Sequence, residues 1–309
     1  MKIVICGSSG LIGKALINEL KQRNHAIVPL FHESNKQSGK KDFTWNIFSK
    51  KIDLQAFHEA DCVVNLAGSN IAQSWSAKNK ESIYQSRIEG NNLLFDAIQK
   101  LDIKPKRFIS ASGIGYYNDP CIEKTDENGS PGSGFLANVC IDWEKSALQM
   151  NTLGIETSII RTGLVLANEG GVFPIVSKFK NFGLVPTTGN ASNMWSWIHI
   201  SDLVNMYVAL IEGTLPKGVY NGVAPFCCTQ REIAKRIIAE TKNGNKFNFN
   251  INLNFTPNVP AFILKLAMGE QSILALTNQN IEPLNALKNG FNFQFPSIEE
   301  AMHHLIHEK

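Results

Sequence analysis

Residues 1–13 read Met1-Lys2-Ile3-Val4-Ile5-Cys6-Gly7-Ser8-Ser9-Gly10-Leu11-Ile12-Gly13, and this stretch decides the fold. The apolar run from Ile3 to Cys6 predicts a buried strand. Gly7, Gly10 and Gly13 follow at once in a G-x-x-G-x-x-G spacing. Behind them, Lys14-Ala15-Leu16-Ile17-Asn18-Glu19-Leu20 places apolar residues at helical intervals. Strand, glycine turn and helix is the context that a dinucleotide fingerprint requires. One glycine permits the turn, one lets backbone approach a pyrophosphate, and one lets helix pack closely on strand. The helix N-terminus adds free N–H groups and the positive end of its dipole. The alternative reading is a structural turn in another doubly wound fold, such as a flavodoxin-like one.

Outward from this turn, strand and helix signals alternate. Residues 25–31 (HAIVPLF), 42–45 (DFTW), 61–66 (DCVVNL), 107–111 (RFISA) and 155–161 (IETSIIR) predict strands. Residues 77–101 predict a long helix with Ile83, Ile88, Leu93, Leu94, Ala97 and Ile98 inward, and residues 132–151 predict another. The rhythm defines an α/β fold: a doubly wound parallel sheet of Rossmann type with right-handed crossovers. Past Gly163, glycine and proline punctuate a looser stretch. Helices are expected at 201–212 and 229–241, with a short strand at 219–221 between them. Residues 246–255 (KFNFNINLNF) alternate like a half-buried strand, 260–276 read as an apolar helix, and 297–307 as a last helix. The expected organisation is a Rossmann core over 1–165, completed by about 195–225. A smaller C-terminal α/β lobe over 166–309, tail at 255–309, follows it.

Composition bounds the function. The 309 residues carry 30 basic and 27 acidic side chains, a net charge of +3, too balanced to argue for nucleic acid or a membrane surface. Lys40-Lys41 and Lys50-Lys51 read as solvated faces. No apolar run approaches the roughly 20 residues of a membrane span. The expected N-terminal strand leaves no signal peptide. Cys6, Cys62, Cys121, Cys140, Cys227 and Cys228 show no C-x-x-C or zinc spacing. Reduced thiols in a cytoplasmic protein, with no metal, are expected. The expected partner is a small-molecule substrate, and the expected state a monomer or homodimer.

The glycine turn has company. Val63-Val64-Asn65-Leu66-Ala67-Gly68, Ser110-Ala111-Ser112-Gly113-Ile114-Gly115-Tyr116-Tyr117 and Arg161-Thr162-Gly163-Leu164-Val165-Leu166 each run out of an expected strand. Ser196-Trp197-Ile198-His199-Ile200-Ser201-Asp202-Leu203-Val204 and Tyr220-Asn221-Gly222 follow. This ordered set resembles the extended short-chain dehydrogenase/reductases, the group of the nucleotide-sugar epimerases and dehydratases. Residues 65–90, Ser112 to Tyr117, Asp142-Trp143-Glu144 and the tail with Met268-Gly269-Glu270-Gln271 narrow the resemblance. They are similar to an atypical epimerase-family branch that ends in a domain of unknown function.

The resemblance implies cofactor residues by position. Gly7, Gly10, Leu11, Ile12 and Gly13 would cradle the pyrophosphate. Asn65, Ala67 and Gly68 would border the adenine-side ribose and phosphates, and Ala111 and Ser112 would flank the nicotinamide. Asn46 takes the place of an acid that often meets adenine. Phe31-His32-Glu33-Ser34-Asn35-Lys36 carries no acid at the first position after the second strand, so NAD lacks its usual anchor. His32, Ser34 and Lys36 lean the reading to NADP, with NAD as the alternative.

The resemblance also exposes a break. Its ordinary members use a serine, a tyrosine and a lysine four residues later, the lysine making the phenol a better base. Ser112 matches the serine, but Leu136 and Cys140 stand at the tyrosine and lysine positions. Tyr116 is the surrogate acid/base candidate. Arg87 is a candidate anion clamp and Cys140 a candidate thiol at the substrate. His199 matches a structural histidine. Trp75, Trp143, Trp195 and Trp197 suit a pocket or a core. Two functions follow: an NAD(P)-dependent epimerase/dehydratase-like oxidoreductase on a small polar, anionic or nucleotide-sugar-like substrate, or a cofactor-binding sensor or interaction module without turnover.

Overall fold

The computed structural model describes residues 1–33, 43–244 and 255–308. Ser34, Lys36, Lys40-Lys41 and, apart from Phe255, the strand expected at 246–255 lie outside them.

An eight-stranded sheet carries the described chain. Its strands are β1 (Lys2–Cys6), β2 (Ala26–His32), β3 (Phe43–Asn46), β4 (Lys51–Ile52), β5 (Cys62–Asn65), β6 (Arg107–Gly113), β7 (Glu156–Thr162) and β8 (Val219–Gly222). They lie in the order β8-β7-β6-β5-β1-β2-β3-β4, and every neighbouring pair is parallel except β3 with β4. The order reverses beside β1, between β2 and β5, which is where ligands bind in open α/β sheets.

Six helices matter for the site and its lobe: α1 (Leu11–Gln22), α2 (Ala77–Ile98), α3 (Phe135–Leu148), α4 (Ile200–Glu212), α5 (Gln230–Gly244) and α6 (Ala261–Met268). A last helix, α7 (Ile298–His307), closes the described chain. Ile3 and Ile5 of β1 pack with Leu16 and Leu20 of α1 and with Leu203 and Tyr207 of α4 on one face of the sheet. Val4 and Cys6 pack with Leu94, Ile98 and Met150 on the other. The alternation of Ile3, Val4, Ile5 and Cys6 to opposite faces is why this strand is apolar throughout. Ile88 of α2 is only half-buried, whereas Asn91 is fully buried. Asn91 accepts from Asn65 Nδ2 at 2.7 Å and donates to Ser146 Oγ at 3.0 Å, tying β5, α2 and α3 together.

The apolar helix expected over 260–276 breaks at Gly269, whose φ is +58°. Helix α6 ends at Met268, a 3₁₀ turn spans Gly269–Ser272, and a short helix spans Ile273–Leu276. The tail then straps the sheet ends: Gln279–Ile281 pairs with Cys121–Thr125, and Gln271 Nε2 donates to Ala72 O at 2.6 Å. Lys80 and Glu270 add an ion pair. No helix among the described residues is long and apolar enough to cross a membrane.

Candidate active site

The carboxyl ends of β1, β2 and β5 open onto a cleft of about 330 Å³ lined by Gly7 to Gly10, Phe31, His32, Trp45, Phe48, Leu66 to Ser69, Ser82 and Ser86. Its floor is shaped by two glycines. Gly7 has a φ of +78°, and a Cβ there would lie 2.7 Å from Leu66 C and 2.8 Å from Ala67 N. A Cβ on Gly13 would lie 2.3 Å from Gly7 O. Gly10 caps α1 with an extended backbone and donates its N–H to Gly7 O at 3.1 Å. The backbone therefore turns tightly enough to present the N-terminus of α1 to the cleft. Ser8 Oγ is buried there without a hydrogen-bond partner among the described residues. Cradle, helix end and an unsatisfied hydroxyl fit the phosphates of a dinucleotide.

The structure separates the expected cofactor residues. Gly7, Gly10, His32, Ala67 and Gly68 line the cleft. Leu11, Ile12 and Gly13 form the first turn of α1 beneath it. Asn65 is fully buried: its Oδ1 accepts the Ala67 N–H at 3.1 Å, so it shapes the turn. Asn46 faces a separate depression with Glu33, Lys50 and Lys51. Its Oδ1 takes the Phe48 and Ser49 N–H groups at 3.0 and 3.1 Å, and its Nδ2 donates to Glu33 at 2.8 Å. Both amide ends are thus engaged. Ala111 is buried in β6.

Beyond β6 the motifs converge on one buried network. Ser112 donates its hydroxyl proton to Glu144 Oε1 at 2.8 Å. Arg161 grips the same carboxylate through Nε–Oε1 and Nη2–Oε2, both at 2.8 Å. Its Nη1 donates to the Tyr117 hydroxyl at 2.8 Å, which donates to Asn221 Oδ1 at 2.8 Å. Burial opposes the Arg161 charge, but the bonds and charge of Glu144 outweigh it, so its pKa is raised. Burial pushes the Tyr117 phenol up to about 12 against the pull of Arg161. Glu144, Arg161, Tyr117 and Asn221 sat inside the quoted motifs without an assigned role. The signal was there: Arg161 ends an apolar strand, and Glu144 follows Trp143 on a helix face that is otherwise apolar.

Tyr116 is half-buried, with the Arg161 guanidinium carbon 3.4 Å from its ring centroid. Leu136 and Cys140, on α3, pack under the Gly113–Gly115 turn. Burial first, and Glu144 second, push the Cys140 thiol up to about 11, which keeps it protonated. Arg87 Nη1 donates to the carbonyls of Ser69 at 3.1 Å and Ile83 at 2.9 Å, and its guanidinium covers Trp143 at 4.9 Å. A Cβ on Gly68 would meet Arg87 Cζ at 3.0 Å. Burial lowers the Arg87 pKa, and no carboxylate among the described residues pairs with it. Trp75 packs edge-on against Phe135, while Trp195 and Trp197 belong to the core of the C-terminal lobe. His199 is fully buried and accepts the Ser201 N–H at the start of α4.

A glycine cradle at the switch point of a parallel sheet, followed by a serine at the end of β6, defines a dinucleotide-binding protein of the extended short-chain dehydrogenase/reductase type. The chain belongs to the NAD dependent epimerase/dehydratase family, whose model matches residues 3–221. A domain of unknown function, DUF1731, matches residues 259–305. The chain is 30% identical over 308 residues to the epimerase family protein SDR39U1 homolog, chloroplastic, of Arabidopsis thaliana, covering 98% of this chain and 86% of that one. It is 32% identical over 302 residues to the epimerase family protein ML0860 of Mycobacterium leprae, covering 97% and 94%. The crystal structure of human epimerase family protein SDR39U1 (isoform 2) with NADPH superposes with a TM-score of 0.85 at 26% identity, covering 100% of both chains. The UDP-glucose 4-epimerase of Thermotoga maritima, at 16% identity and a TM-score of 0.75 over 99% and 97%, shares the fold.

Proposed function

We propose that the chain binds NADP(H) in preference to NAD(H) and acts as an epimerase/dehydratase-like oxidoreductase on a small polar, anionic or nucleotide-sugar-like substrate. The observation that carries the reading is the cradle in which Gly7 and Gly13 bring backbone to 2.7 Å and 2.3 Å of where a Cβ would stand. Gly7, Gly10 and the first turn of α1 would hold the pyrophosphate, and His32 would face the 2′-phosphate. The human relative was crystallised with NADPH, which supports the same preference. Bound there, the nicotinamide supplies hydride exchange. Ala111 and Ser112 would flank it. Tyr116 supplies the phenol hydroxyl that moves the substrate proton. Arg87, a half-buried cation whose hydrogen bonds go to carbonyls, supplies the contact for a substrate carboxylate or phosphate. Free cysteines suit a reducing compartment such as the cytoplasm.

One observation favours the second reading, a cofactor-binding sensor or interaction module without turnover. A serine hydroxyl has one proton, and Ser112 gives it to Glu144. Ser112 therefore polarises a substrate carbonyl only after leaving that bond. Titration of both dinucleotides, followed by turnover assays over carbonyl and sugar-nucleotide panels, separates the readings. Tighter NADPH binding that His32→Glu weakens, with turnover lost in Ser112→Ala and Tyr116→Phe, supports the enzyme. Binding without turnover across the panel supports the sensor. Failure to bind either dinucleotide overturns both.

A further inference from the structure

On the outer face of the C-terminal lobe, Glu240 of α5 meets two histidines of α7. Glu240 Oε2 lies 3.2 Å from His303 Nδ1 and 3.1 Å from His307 Nε2. All three ligand atoms lie within 4.8 Å of one another. His303 and His307 are four residues apart on one helix, so both rings leave the same face one turn apart. Glu240 is only 7% exposed, a buried carboxylate whose other oxygen, Oε1, forms an ion pair with Arg236 Nε at 3.4 Å. The two helices are held in register by Ile233, Ile237, Ala301, Met302 and Leu305 in a shared core.

We propose that Glu240, His303 and His307 form a divalent transition-metal site, with zinc as its preferred occupant. Two imidazoles and one carboxylate are the ligand chemistry of zinc, and a fourth position would go to water. Ligands at about 2.0–2.1 Å in a tetrahedron stand about 3.3 Å apart, close to the two Glu240–histidine separations. Only the two imidazoles have to approach, and His303, with 61% of its side chain exposed, has room to turn. Arg236 adds a positive charge beside the carboxylate. The ion would staple α7 to α5, far in sequence from the glycine cradle. The spacing of the cysteines gave no hint of it, because no cysteine is a ligand and Glu240 lies 63 and 67 residues from the two histidines.

The experiment uses untagged full-length protein, stripped of metal and titrated with zinc, read by calorimetry and by metal analysis after dialysis. One zinc per chain is expected, with a rise in Tm. His303→Ala, His307→Ala and Glu240→Gln should each weaken binding by more than about 10-fold, the least that disturbing a metal shell costs. His58→Ala, at an exposed site elsewhere, should leave it unchanged. Circular dichroism confirms folding, and His303→Ala, at the more exposed position, is the decisive variant. The proposal is overturned by the absence of stoichiometric zinc, or by affinity unchanged in His303→Ala and His307→Ala. Binding lost instead in Cys227→Ser/Cys228→Ser would place the ion at those thiols and overturn it equally.

Discussion

Arg161, at the end of β7, holds Glu144 of α3 in a two-pronged ion pair at 2.8 Å through each prong, and both side chains are buried. The pair stands beside Ser112, whose hydroxyl donates to the same carboxylate at 2.8 Å. The clamp joins β6, β7 and α3.

Breaking that clamp should be costly. Glu144→Gln or Arg161→Met leaves one charge buried without its partner, a loss of about 3–5 kcal/mol. The double variant should lose less than the sum of the single losses, because the second substitution removes the stranded charge. Urea denaturation of the four proteins measures the coupling, and strict additivity would contradict it.

The glycines of the cradle should differ in tolerance. Gly13→Ala puts a methyl group 2.3 Å from Gly7 O, whereas Gly10→Ala puts one 3.4 Å away. Gly13→Ala should lose about 1–3 kcal/mol of stability by overpacking, and with it dinucleotide binding. Gly10→Ala should fold nearly as well as the parent. Thermal unfolding and NADPH fluorescence titration check both, and equal effects would refute the assignment.

His199 should set part of the acid sensitivity. Burial first, then His304, lowers its pKa from 6.5 to about 3. Between those values the unfolded chain binds the proton and the folded chain does not. Stability therefore falls with decreasing pH through that window, by up to about 1.4 kcal/mol per pH unit. His199→Asn keeps an acceptor for the Ser201 N–H but has no such proton. Its stability should decline less steeply from pH 6 to pH 4 than the parent's, as read by chemical denaturation at each pH.

Cys140 should be inert in the folded protein. Its thiol is buried and pushed up to about 11. Iodoacetamide at pH 8 should modify the half-exposed Cys121 well before Cys140, as mass spectrometry of timed samples will show. Cys140→Ser should retain dinucleotide binding. Early labelling of Cys140 would revive it as a nucleophile.

The first thirteen residues carried the fold because strand, turn and helix are local there: apolar alternation, a glycine where φ is positive, and helical spacing are all readable over a few positions. The strands at 107–111 and 155–161 were legible for the same reason, and in the structure they extend by a residue or two at their carboxyl ends. The break of the apolar segment after Met268 was not, since it depends on Gly269 adopting φ +58° while the tail crosses to Cys121–Thr125.

The site divides along the same line. The glycine spacing pointed to the cradle, and the family resemblance set Leu136 and Cys140 at the positions of the usual tyrosine and lysine, because both readings rest on short motifs. Packing decided that Asn65 and Asn46 serve the backbone around them, and that Ser112 gives its proton to Glu144. It also decided that Glu240 sits between His303 and His307. Those relationships join residues from different strands and helices, and they exist only once burial has brought the elements together and each polar group has had to find a partner away from water.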